Sequence, residues 1–329
     1  MNIPGAEDGI GSVWATGAPR GEPAHRGLID APVALAGRRA RQDGAMTTIL
    51  SIQSSVAYGH VGNSAATFPL MRMGVEVWPI LTVHFSNTTA YETCRGPVLS
   101  ADDLREVLLG VTERGVLGEA DAVLSGFQGD ASIGAVTLEA VAAVKQANPA
   151  AIYCCDPVMG DVGRGFFVRP GIPEYLRDEV VPYADIITPN LFELSFLTGT
   201  EATTTGELLA ACDTVRSRGP QVVLVTSAVL PDDSQDVVGM VLSTPEGAWR
   251  VETPHLNRTF GGSGDLTAAT FLAQWLRLGD PAAALAETAA VVYAVLKATA
   301  DSGKRELQLV AAQDELVTPR TRFDVTRLA

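Results

Sequence analysis

The chain has 329 residues, 47% of them hydrophobic, so it can bury the core of one large domain or of two ordinary ones. Its 24 Lys and Arg against 38 Asp and Glu give a net charge of −14, which repels a nucleic-acid backbone. The four cysteines contain no C-x-x-C pair, and the longest apolar stretches fall short of the roughly 20 residues of a membrane span. We therefore predict a soluble, cytoplasmic protein without disulfides or zinc.

Residues 1–45 are rich in Gly, Pro and Ala and show neither a helical nor a strand period of apolar residues. No basic stretch followed by an apolar segment marks a secretory signal. An Arg-bearing transit segment stays an alternative, against which Asp8, Asp30 and Asp43 argue. We predict an unstructured extension over residues 1–45, interpreted as a start codon assigned too early with Met46 as the true start, and a folded domain over residues 46–329.

From Met46 onward, segments with the pattern of strands alternate with segments that have the pattern of helices. Strands are predicted at residues 48–52, 75–83, 122–124, 152–155, 185–188 and 222–226, with a hairpin at 237–243 and 248–251. Helices are predicted at residues 63–73, from Ser100 onward, and at 133–146, 206–217, 266–278, 281–300 and 305–317. This alternation implies right-handed crossovers, so the predicted fold class is α/β, a three-layer α/β/α sandwich with a mostly parallel sheet.

A glycine-rich segment precedes the predicted helix at residues 266–278. It reads Phe260-Gly261-Gly262-Ser263-Gly264-Asp265, and its glycines allow a close approach of the backbone to a ligand. The free N–H groups and the dipole at a helix start bind anions such as phosphate, and the dipole also favours an Asp there. The segment predicts an anion site, although taken alone it fits equally well with Asp265 as a simple helix cap.

Oxygen-bearing side chains follow two other predicted strands. Asp156 and Asp161 come after the fourth strand, and Thr188, Asn190 and Glu193 come at the end of the fifth and after it. Ligands of α/β folds lie at the carboxyl ends of strands, and carboxylates beside a phosphate site suit Mg²⁺, which prefers oxygen ligands. Singly, each residue is better explained as a helix start or a strand end. Together with the glycine-rich helix start, they favour a site for metal and phosphate.

Two loops after the first two predicted strands contain hydroxyl and amide side chains. They read Ser54-Ser55-Val56-Ala57-Tyr58-Gly59-His60-Val61-Gly62-Asn63 and Phe85-Ser86-Asn87-Thr88-Thr89. Such loops can present hydroxyls to a small polar ring, while a lone histidine more often satisfies a turn than catalyses. A dinucleotide site is disfavoured because G-x-G-x-x-G does not follow the first strand, and a serine hydrolase because G-x-S-x-G is missing.

In their order along the chain, these segments resemble the pyridoxal kinases of the ribokinase-like superfamily. The resemblance runs from Met46 to about Leu328, and the residues that carry it are 49–54, 58–66, 85–87, 124–126, 155–160, 188–193 and 262–265. The Tyr-Gly-His and Phe-Ser-Asn segments are specific to pyridoxal kinases. The Pro-Asn-x-x-Glu and Gly-x-Gly-Asp segments belong to the whole superfamily.

The resemblance implies transfer of the γ-phosphate of ATP to the 5′-hydroxyl of pyridoxal, which gives pyridoxal 5′-phosphate in vitamin B6 salvage. Asp265 is then the base for that hydroxyl, and the amides of Gly262, Ser263 and Gly264 form an anion hole. The implied contacts of the pyridine ring are Ser54, Thr89, Val61, Val83 and Phe85. The residues implied on the nucleotide side are Asp156, Thr188, Asn190, Glu193, Thr226, Ser227, Thr253, Pro254, His255 and Leu256.

The resemblance also implies cofactors and an assembly. Asp156 and Glu193 lie around Mg²⁺, ATP is the co-substrate, and a homodimer is the habit of the superfamily. Dependence on a monovalent cation stays open. Neither a nucleic acid nor a membrane is an expected partner.

Four positions depart from the pyridoxal kinase pattern. Thr88 and Ser55 stand where many relatives carry His, Phe127 stands where they often carry Tyr, and Ser263 replaces Thr in the glycine-rich segment. These changes remove polar contacts around the substrate but leave Asp265 and the carboxylates in place. The sequence therefore predicts phosphoryl transfer and leaves open the preference among pyridoxal, pyridoxine and pyridoxamine.

Two alternatives are a kinase of another substrate and a protein of another functional class. A hydroxymethylpyrimidine kinase typically has Cys where Asp265 stands and a different first loop, so the Tyr58-to-Asn63 segment argues against it. A catalytically weak module that binds pyridoxal 5′-phosphate is disfavoured because Asp265, Glu193 and Asp156 are all present.

Overall fold

The computed structural model describes residues 46–329, and the predicted extension at residues 1–45 lies outside the described residues. The strands are β1 Thr47–Val56, β2 Val75–Phe85, β3 Ala122–Ser125, β4 Ile152–Cys155, β5 Gly160–Asp161, β6 Gly165–Phe166, β7 Ile186–Ile187, β8 Val222–Ala228, β9 Val237–Thr244, β10 Gly247–Pro254 and β11 Val325–Arg327. The α-helices are α1 Asn63–Arg72, α2 Ala101–Glu113, α3 Ala131–Ala147, α4 Ile172–Tyr175, α5 Leu191–Thr198, α6 Thr205–Arg216, α7 Ser263–Leu278 and α8 Pro281–Ser302. Shorter helical turns of other types lie at Leu117–Glu119, Leu176–Val180 and Val181–Tyr183.

Within this part of the chain, nine strands form one mixed sheet in the order β11-β10-β9-β8-β7-β4-β3-β1-β2. The pairs from β2 to β8 are all parallel. The pairs from β8 to β11 are antiparallel. The remaining two strands, β5 and β6, form a separate antiparallel hairpin. Because the parallel strands share one direction, their carboxyl ends meet at one edge of the sheet, where ligands of such folds bind.

Helices cover both faces of the sheet. Leu50 and Ile52 of β1 are buried in a core shared with α2, α3, α5 and α6, whereas Ile49 faces a second core shared with α1, α7 and α8. This alternation follows from the period of two in a strand, and apolar residues at both phases require a cover on both faces. The predicted three-layer sandwich with a mostly parallel sheet is confirmed.

The predicted helix at residues 305–317 is wrong. Residues 309–317 form a succession of turns, in which the N–H of Ala312 bonds to the carbonyl of Gln308 but that of Glu315 bonds to the carbonyl of Ala312. Leu307 and Leu309 are both buried against α7 and α8, although they are two residues apart. A helix would place such positions on different faces, so the apolar pattern is satisfied by irregular backbone instead.

Helix α8 corrects the expectation about apolar stretches. It has 22 residues, and an 18-residue window with mean hydropathy 1.4 makes it long and apolar enough to cross a membrane by length and composition alone. Half of that window is buried inside the fold. Leu285, Ala289 and Val291 are inaccessible to solvent there, in the cores shared with α1 and α7. A buried core helix has the same composition as a membrane span, and the packing of α8 accounts for its apolar character.

Candidate active site

Two adjoining cavities open at the carboxyl edge of the parallel strands. The first has a volume of about 210 Å³, and the second has a volume of about 440 Å³. The residues expected from the sequence that line the first are Ser54, Val61, Val83, Phe85, Thr89, Asp156, Thr188, Asn190, Glu193, Thr226, Ser227, Gly262, Ser263, Gly264 and Asp265. Those that line the second are Thr226, Ser227, Thr253, Pro254, His255, Leu256, Ser263 and Gly264. The fold therefore brings every residue of the expected site to one continuous space.

The glycine-rich segment begins α7 with a backbone that only glycine accommodates. Gly262 has φ +85°, and a Cβ on it would lie 1.9 Å from the carbonyl oxygen of His60. No side chain caps α7, so the first amides of the helix lack a side-chain acceptor beside both cavities. This is the geometry that binds an anion at a helix start.

Asp265 is the third residue of α7 and is partly exposed to the first cavity. Burial raises the pKa of Asp265 above its ordinary value, while N–H groups of Gly62 and of Asp265 itself act in the opposite direction. The position before the helix belongs to Gly262. Asp265 is thus not a simple helix cap, because its carboxylate joins α7 to the loop after β1.

Asp156 lies at the end of β4 and is almost fully buried. Its Oδ1 accepts a hydrogen bond from Oγ1 of Thr188 at 2.9 Å, whereas its Oδ2 is buried without a hydrogen-bond partner. Burial, followed by repulsion from Glu193 and Asp265, raises the pKa of Asp156 well above its ordinary value. A buried carboxylate oxygen without a partner is costly, so this atom is suited to a cation or a proton donor.

Glu193 and Asn190 start α5 with a reciprocal capping box, as the simpler interpretation of these residues expected. The N–H groups of Met159 and Asn190 donate to Oε1 and Oε2 of Glu193 at 2.9 and 3.0 Å. Nδ2 of Asn190 donates to the carbonyl of Gly160 at 2.8 Å. Burial outweighs these hydrogen bonds and raises the pKa of Glu193 to about 8. Asn190 and Glu193 therefore both cap α5 and line the first cavity.

The side chains expected around the ring lie on β1, β2 and the loops that follow them. β1 extends to Val56, four residues beyond the prediction, so Ser54 lies within the strand and faces the first cavity. The two loops are joined by the N–H of Ala57, which donates to the carbonyl of Phe85 at 2.9 Å. Ser55 does not line either cavity, and its hydroxyl lies 3.2 Å from that of Ser64.

The second cavity lies between the end of β8 and the segment after β10. The N–H of Thr226 donates to the carbonyl of Pro189 at 2.9 Å, which ties β8 to the start of α5. Ser227 has φ +49°, an uncommon conformation for a non-glycine residue and a mark of functional loops. The N–H of His255 bonds to the carbonyl of Asp236 at 2.7 Å and fixes the opposite wall.

Sequence reasoning missed Arg164, in the turn between β5 and β6. Arg164 lines both cavities and is the one Arg or Lys around the first cavity, which also contains four carboxylates. It forms no ion pair with any described carboxylate, and its guanidinium lies 5.2 Å from the centre of the Phe167 ring. In the sequence, the one local sign of a special position for Arg164 was that it stands between two glycines. In the structure, both Gly163 and Gly165 have positive φ.

Comparisons with known proteins agree with this geometry. The family model described as phosphomethylpyrimidine kinase matches residues 108–309. Pyridoxal kinase PdxY of Rubrobacter xylanophilus is 57% identical over 85% of this chain and 97% of that protein. That of Leifsonia xyli is 53% identical over 85% and 99%. The chain belongs to the pyridoxal kinase family.

Solved structures of pyridoxal kinases have the same fold as this chain. Pyridoxal kinase from Leishmania donovani, solved in complex with ADP and ginkgotoxin, superposes with a TM-score of 0.79 at 30% identity, over 86% of this chain and all of that one. The predicted ribokinase-like fold is confirmed. The match to the phosphomethylpyrimidine kinase model begins at residue 108, after both loops that the sequence marked as specific to pyridoxal kinases. The pyridoxal kinase relatives match over 85% of the chain.

Proposed function

We propose that this kinase transfers the γ-phosphoryl group of ATP to the 5′-hydroxymethyl oxygen of pyridoxal, giving ADP and pyridoxal 5′-phosphate for vitamin B6 salvage. The observation that carries the proposal is Asp265, a cavity carboxylate in the first turn of α7, whose start no side chain caps. Membership of the pyridoxal kinase family supports the choice of substrate. The expected roles of the site residues are proposals on the same basis.

Phosphoryl transfer requires positioning, charge neutralisation and one base. Asp265 accepts the proton of the 5′-hydroxyl while that oxygen attacks the γ-phosphorus, and the bond to the leaving ADP oxygen breaks. The amides of Gly262, Ser263 and Gly264 stabilise the negative charge on the transferring group. Burial raises the pKa of Asp265, which makes its carboxylate a stronger base than that of an ordinary aspartate.

The first cavity holds the vitamin together with the phosphate end of ATP, and the second holds the rest of the nucleotide. Ser54 and Thr89 contact polar substituents of the pyridine ring, and the apolar side chains of Val61, Val83 and Phe85 pack on it. The residues assigned to the nucleotide and its phosphates are Asp156, Thr188, Asn190, Glu193, Thr226, Ser227, Thr253, Pro254, His255 and Leu256. Residues shared by both cavities, such as Ser263 and Gly264, mark where the two substrates meet.

Mg²⁺ fits Asp156, because Oδ2 of that side chain is buried without a hydrogen-bond partner and is repelled by two other carboxylates. Each oxygen of Glu193 accepts one backbone N–H and keeps a second lone pair, so Glu193 would hold the ion together with Asp156. Among the described residues, no group of three or more His, Cys, Asp or Glu side chains is arranged to hold a metal. Mg²⁺ commonly takes its other ligands from phosphate and water, and when bound it neutralises phosphate charge.

Arg164 offers positive charge to the phosphates at the junction of the two cavities, whereas Arg258 and Arg305 line the second cavity alone. Four carboxylates around the first cavity repel a triphosphate, and Arg164 is unpaired at the junction of the two cavities. A planar guanidinium binds phosphate oxygens in a bidentate manner and stabilises charge on a transferring phosphoryl group. We assign Arg164 to the β- and γ-phosphates.

We also propose a cytoplasmic homodimer that binds neither nucleic acid nor membrane. The net charge of −14 disfavours a nucleic-acid backbone, and the packing of α8 in the core accounts for its apolar composition. The dimer rests on the resemblance to the superfamily. Sedimentation equilibrium at micromolar concentration tests it, and a monomer there would contradict it.

The function is tested by supplying ATP and Mg²⁺ with pyridoxal, pyridoxine, pyridoxamine or hydroxymethylpyrimidine and identifying the phosphorylated product by mass. We expect turnover of pyridoxal, with the highest kcat/KM among the B6 vitamers. A higher kcat/KM with hydroxymethylpyrimidine would support the pyrimidine kinase alternative, to which the family model points. Binding of pyridoxal 5′-phosphate without turnover would support the binding module. The same assay with and without potassium decides the monovalent-cation dependence.

A further inference from the structure

The carboxylate of Glu306, just after α8, joins two loops that are far apart in the sequence. Its Oε2 accepts a hydrogen bond from the N–H of His60 at 3.1 Å. Its Oε1 accepts a hydrogen bond from the phenol of Tyr91 at 2.7 Å. The first donor lies in the loop after β1, and the second lies in the loop after β2.

Close packing fixes this junction on both sides. Gly59 has φ +93°, and a Cβ on it would lie 2.1 Å from Oε2 of Glu306. The guanidinium of Arg305 lies 3.8 Å from the centre of the Tyr91 ring, and its Nη2 donates to the carbonyl of Ala90 at 2.6 Å. The hydrogen bond to Glu306 raises the pKa of Tyr91 to about 12, so the phenol keeps its proton at neutral pH.

Both loops lead directly from Glu306 to reacting parts of the site. The carbonyl of His60 lies against Gly262 of the anion-binding turn. Two residues further on, the N–H of Gly62 faces the carboxylate of Asp265 and lowers its pKa. On the other loop, Thr89 and its neighbours line the cavity assigned to the vitamin. The side chain of Glu306 thus supports both the loop that contacts Asp265 and the loop that lines the cavity of the vitamin.

We propose that Glu306 is a positioning residue that holds the two substrate loops in the conformation that binds pyridoxal. The inference rests on the proposed function, since it concerns the site of the same reaction. Without the carboxylate, the loops lose their shared acceptor and occupy the binding conformation for a smaller fraction of the time. The apparent affinity for pyridoxal then falls by that fraction.

Glu306 also lines the nucleotide cavity, so a direct contact with ATP is the competing explanation. The two explanations differ in which KM changes. Glu306→Ala removes both hydrogen bonds and is expected to raise the KM for pyridoxal by roughly 10-fold, with a smaller change in the KM for ATP. An unchanged KM for pyridoxal, or a change confined to ATP, would overturn the proposal.

Three further variants separate positioning from stability. In Glu306→Gln the amide oxygen still accepts from His60 while the amide nitrogen donates to the phenol oxygen, so the KM for pyridoxal should stay within about 3-fold of wild type. Tyr91→Phe removes one of the two hydrogen bonds and should have an intermediate effect. Glu315→Ala is the matched control, because Glu315 lies in the same segment but pairs with Arg320. It should lower the melting temperature at most, without changing the KM for pyridoxal.

Equilibrium binding of pyridoxal to the same variants, in the presence of ADP, keeps the test independent of turnover. A wild-type protein that binds pyridoxal but does not phosphorylate it would contradict the proposed function and leave the binding comparison valid. Equal affinity of wild type and Glu306→Ala in that comparison would overturn the role of Glu306 alone. Loss of binding in Glu315→Ala as well would also overturn it, because the effect would then be one of general destabilisation.

Discussion

The two sides of the active site are held in place in different ways. On the phosphate side, Glu193 and Asn190 are ordered by a capping box within four residues, and Asp156 directly follows its strand. On the vitamin side, the loops after β1 and β2 depend on Glu306, which is 246 residues from one donor and 215 from the other. The carboxylates of Asp156 and Glu193 thus have hydrogen-bond partners within 34 residues of chain, and this side should control kcat. The vitamin side is built from distant contacts and should control the KM for pyridoxal.

Asp265→Asn is the largest expected disruption of the phosphate side. The change keeps the shape of the side chain but removes the base, so kcat should fall by roughly 10²- to 10⁴-fold. The melting temperature should stay close to that of wild type, because an amide oxygen can still face the N–H of Gly62. Steady-state kinetics and thermal melts of the one variant check both statements. Retention of most of the turnover would exclude Asp265 as the base.

Arg164→Gln tests the proposed cation of the phosphate side. Loss of the guanidinium should lower kcat/KM for ATP by roughly 10- to 100-fold, in line with the strength of a charge-assisted contact to phosphate. The KM for pyridoxal should change much less. Arg169→Gln is the matched control, because Arg169 pairs with Asp130 at 3.3 Å and lines neither of the two cavities. Equal effects of the two substitutions on kcat/KM for ATP would contradict the assignment.

Asp156→Asn tests whether repulsion among the carboxylates of the phosphate side lowers the free energy of unfolding. The pKa of Glu193 rises from 4.5 to about 8, and that of Asp156 rises well above its ordinary value. The folded protein therefore binds more protons than the unfolded chain between about pH 4.5 and 8, so the free energy of unfolding falls as the pH rises through this window.

The Asn side chain removes one of the repelling charges. Without ATP and Mg²⁺, the variant should melt a few degrees above wild type at pH 8 and close to it at pH 5, since about 1 kcal/mol shifts the melting temperature of a large domain by roughly 2–4 °C. Melting curves at the two pH values measure the difference. A difference of the same size at both would contradict this electrostatic account.

Thr88→His tests the vitamin side. Thr88 lines both cavities, and the resemblance of the sequence places it where pyridoxal kinases often have His. One added polar contact should lower the KM for pyridoxal by roughly 2- to 10-fold, because contacts with the ring are shared by the ground state and the transition state. kcat should not change. A change in kcat alone would show that this loop does not lie over the ring.

Removal of residues 1–45 has the smallest expected effect. The segment offers no apolar stripe that could dock on the core, so its ordering entropy would be uncompensated. Protein that starts at Met46 should melt and turn over as the full chain does. A fall of several degrees in the melting temperature, or a loss of activity, would show that the extension is a structural element.

The sheet and the phosphate side were predictable because their signals are local. The alternation of strands and helices is visible in short windows, and so are the glycine-rich helix start and the Asn190 and Glu193 pair. Arg164 was missed because an arginine between two glycines has many ordinary explanations. The role of Glu306 depends on partners more than 200 residues away, and no local pattern encodes such contacts. The segment 305–317 has helical composition, but its apolar residues follow the surface of α7 and α8.

The pH dependence of kcat in wild type and in Asp265→Asn tests the central claim most directly, namely that Asp265 takes the hydroxyl proton. With both substrates saturating, the wild-type kcat should fall towards acid pH as Asp265 becomes protonated, at a pH above the ordinary aspartate range because burial raises its pKa. The residual kcat of the variant should lack this fall. Titration of pyridoxal affects both proteins alike, so the difference isolates Asp265. The same acid limb in both proteins would contradict the claim.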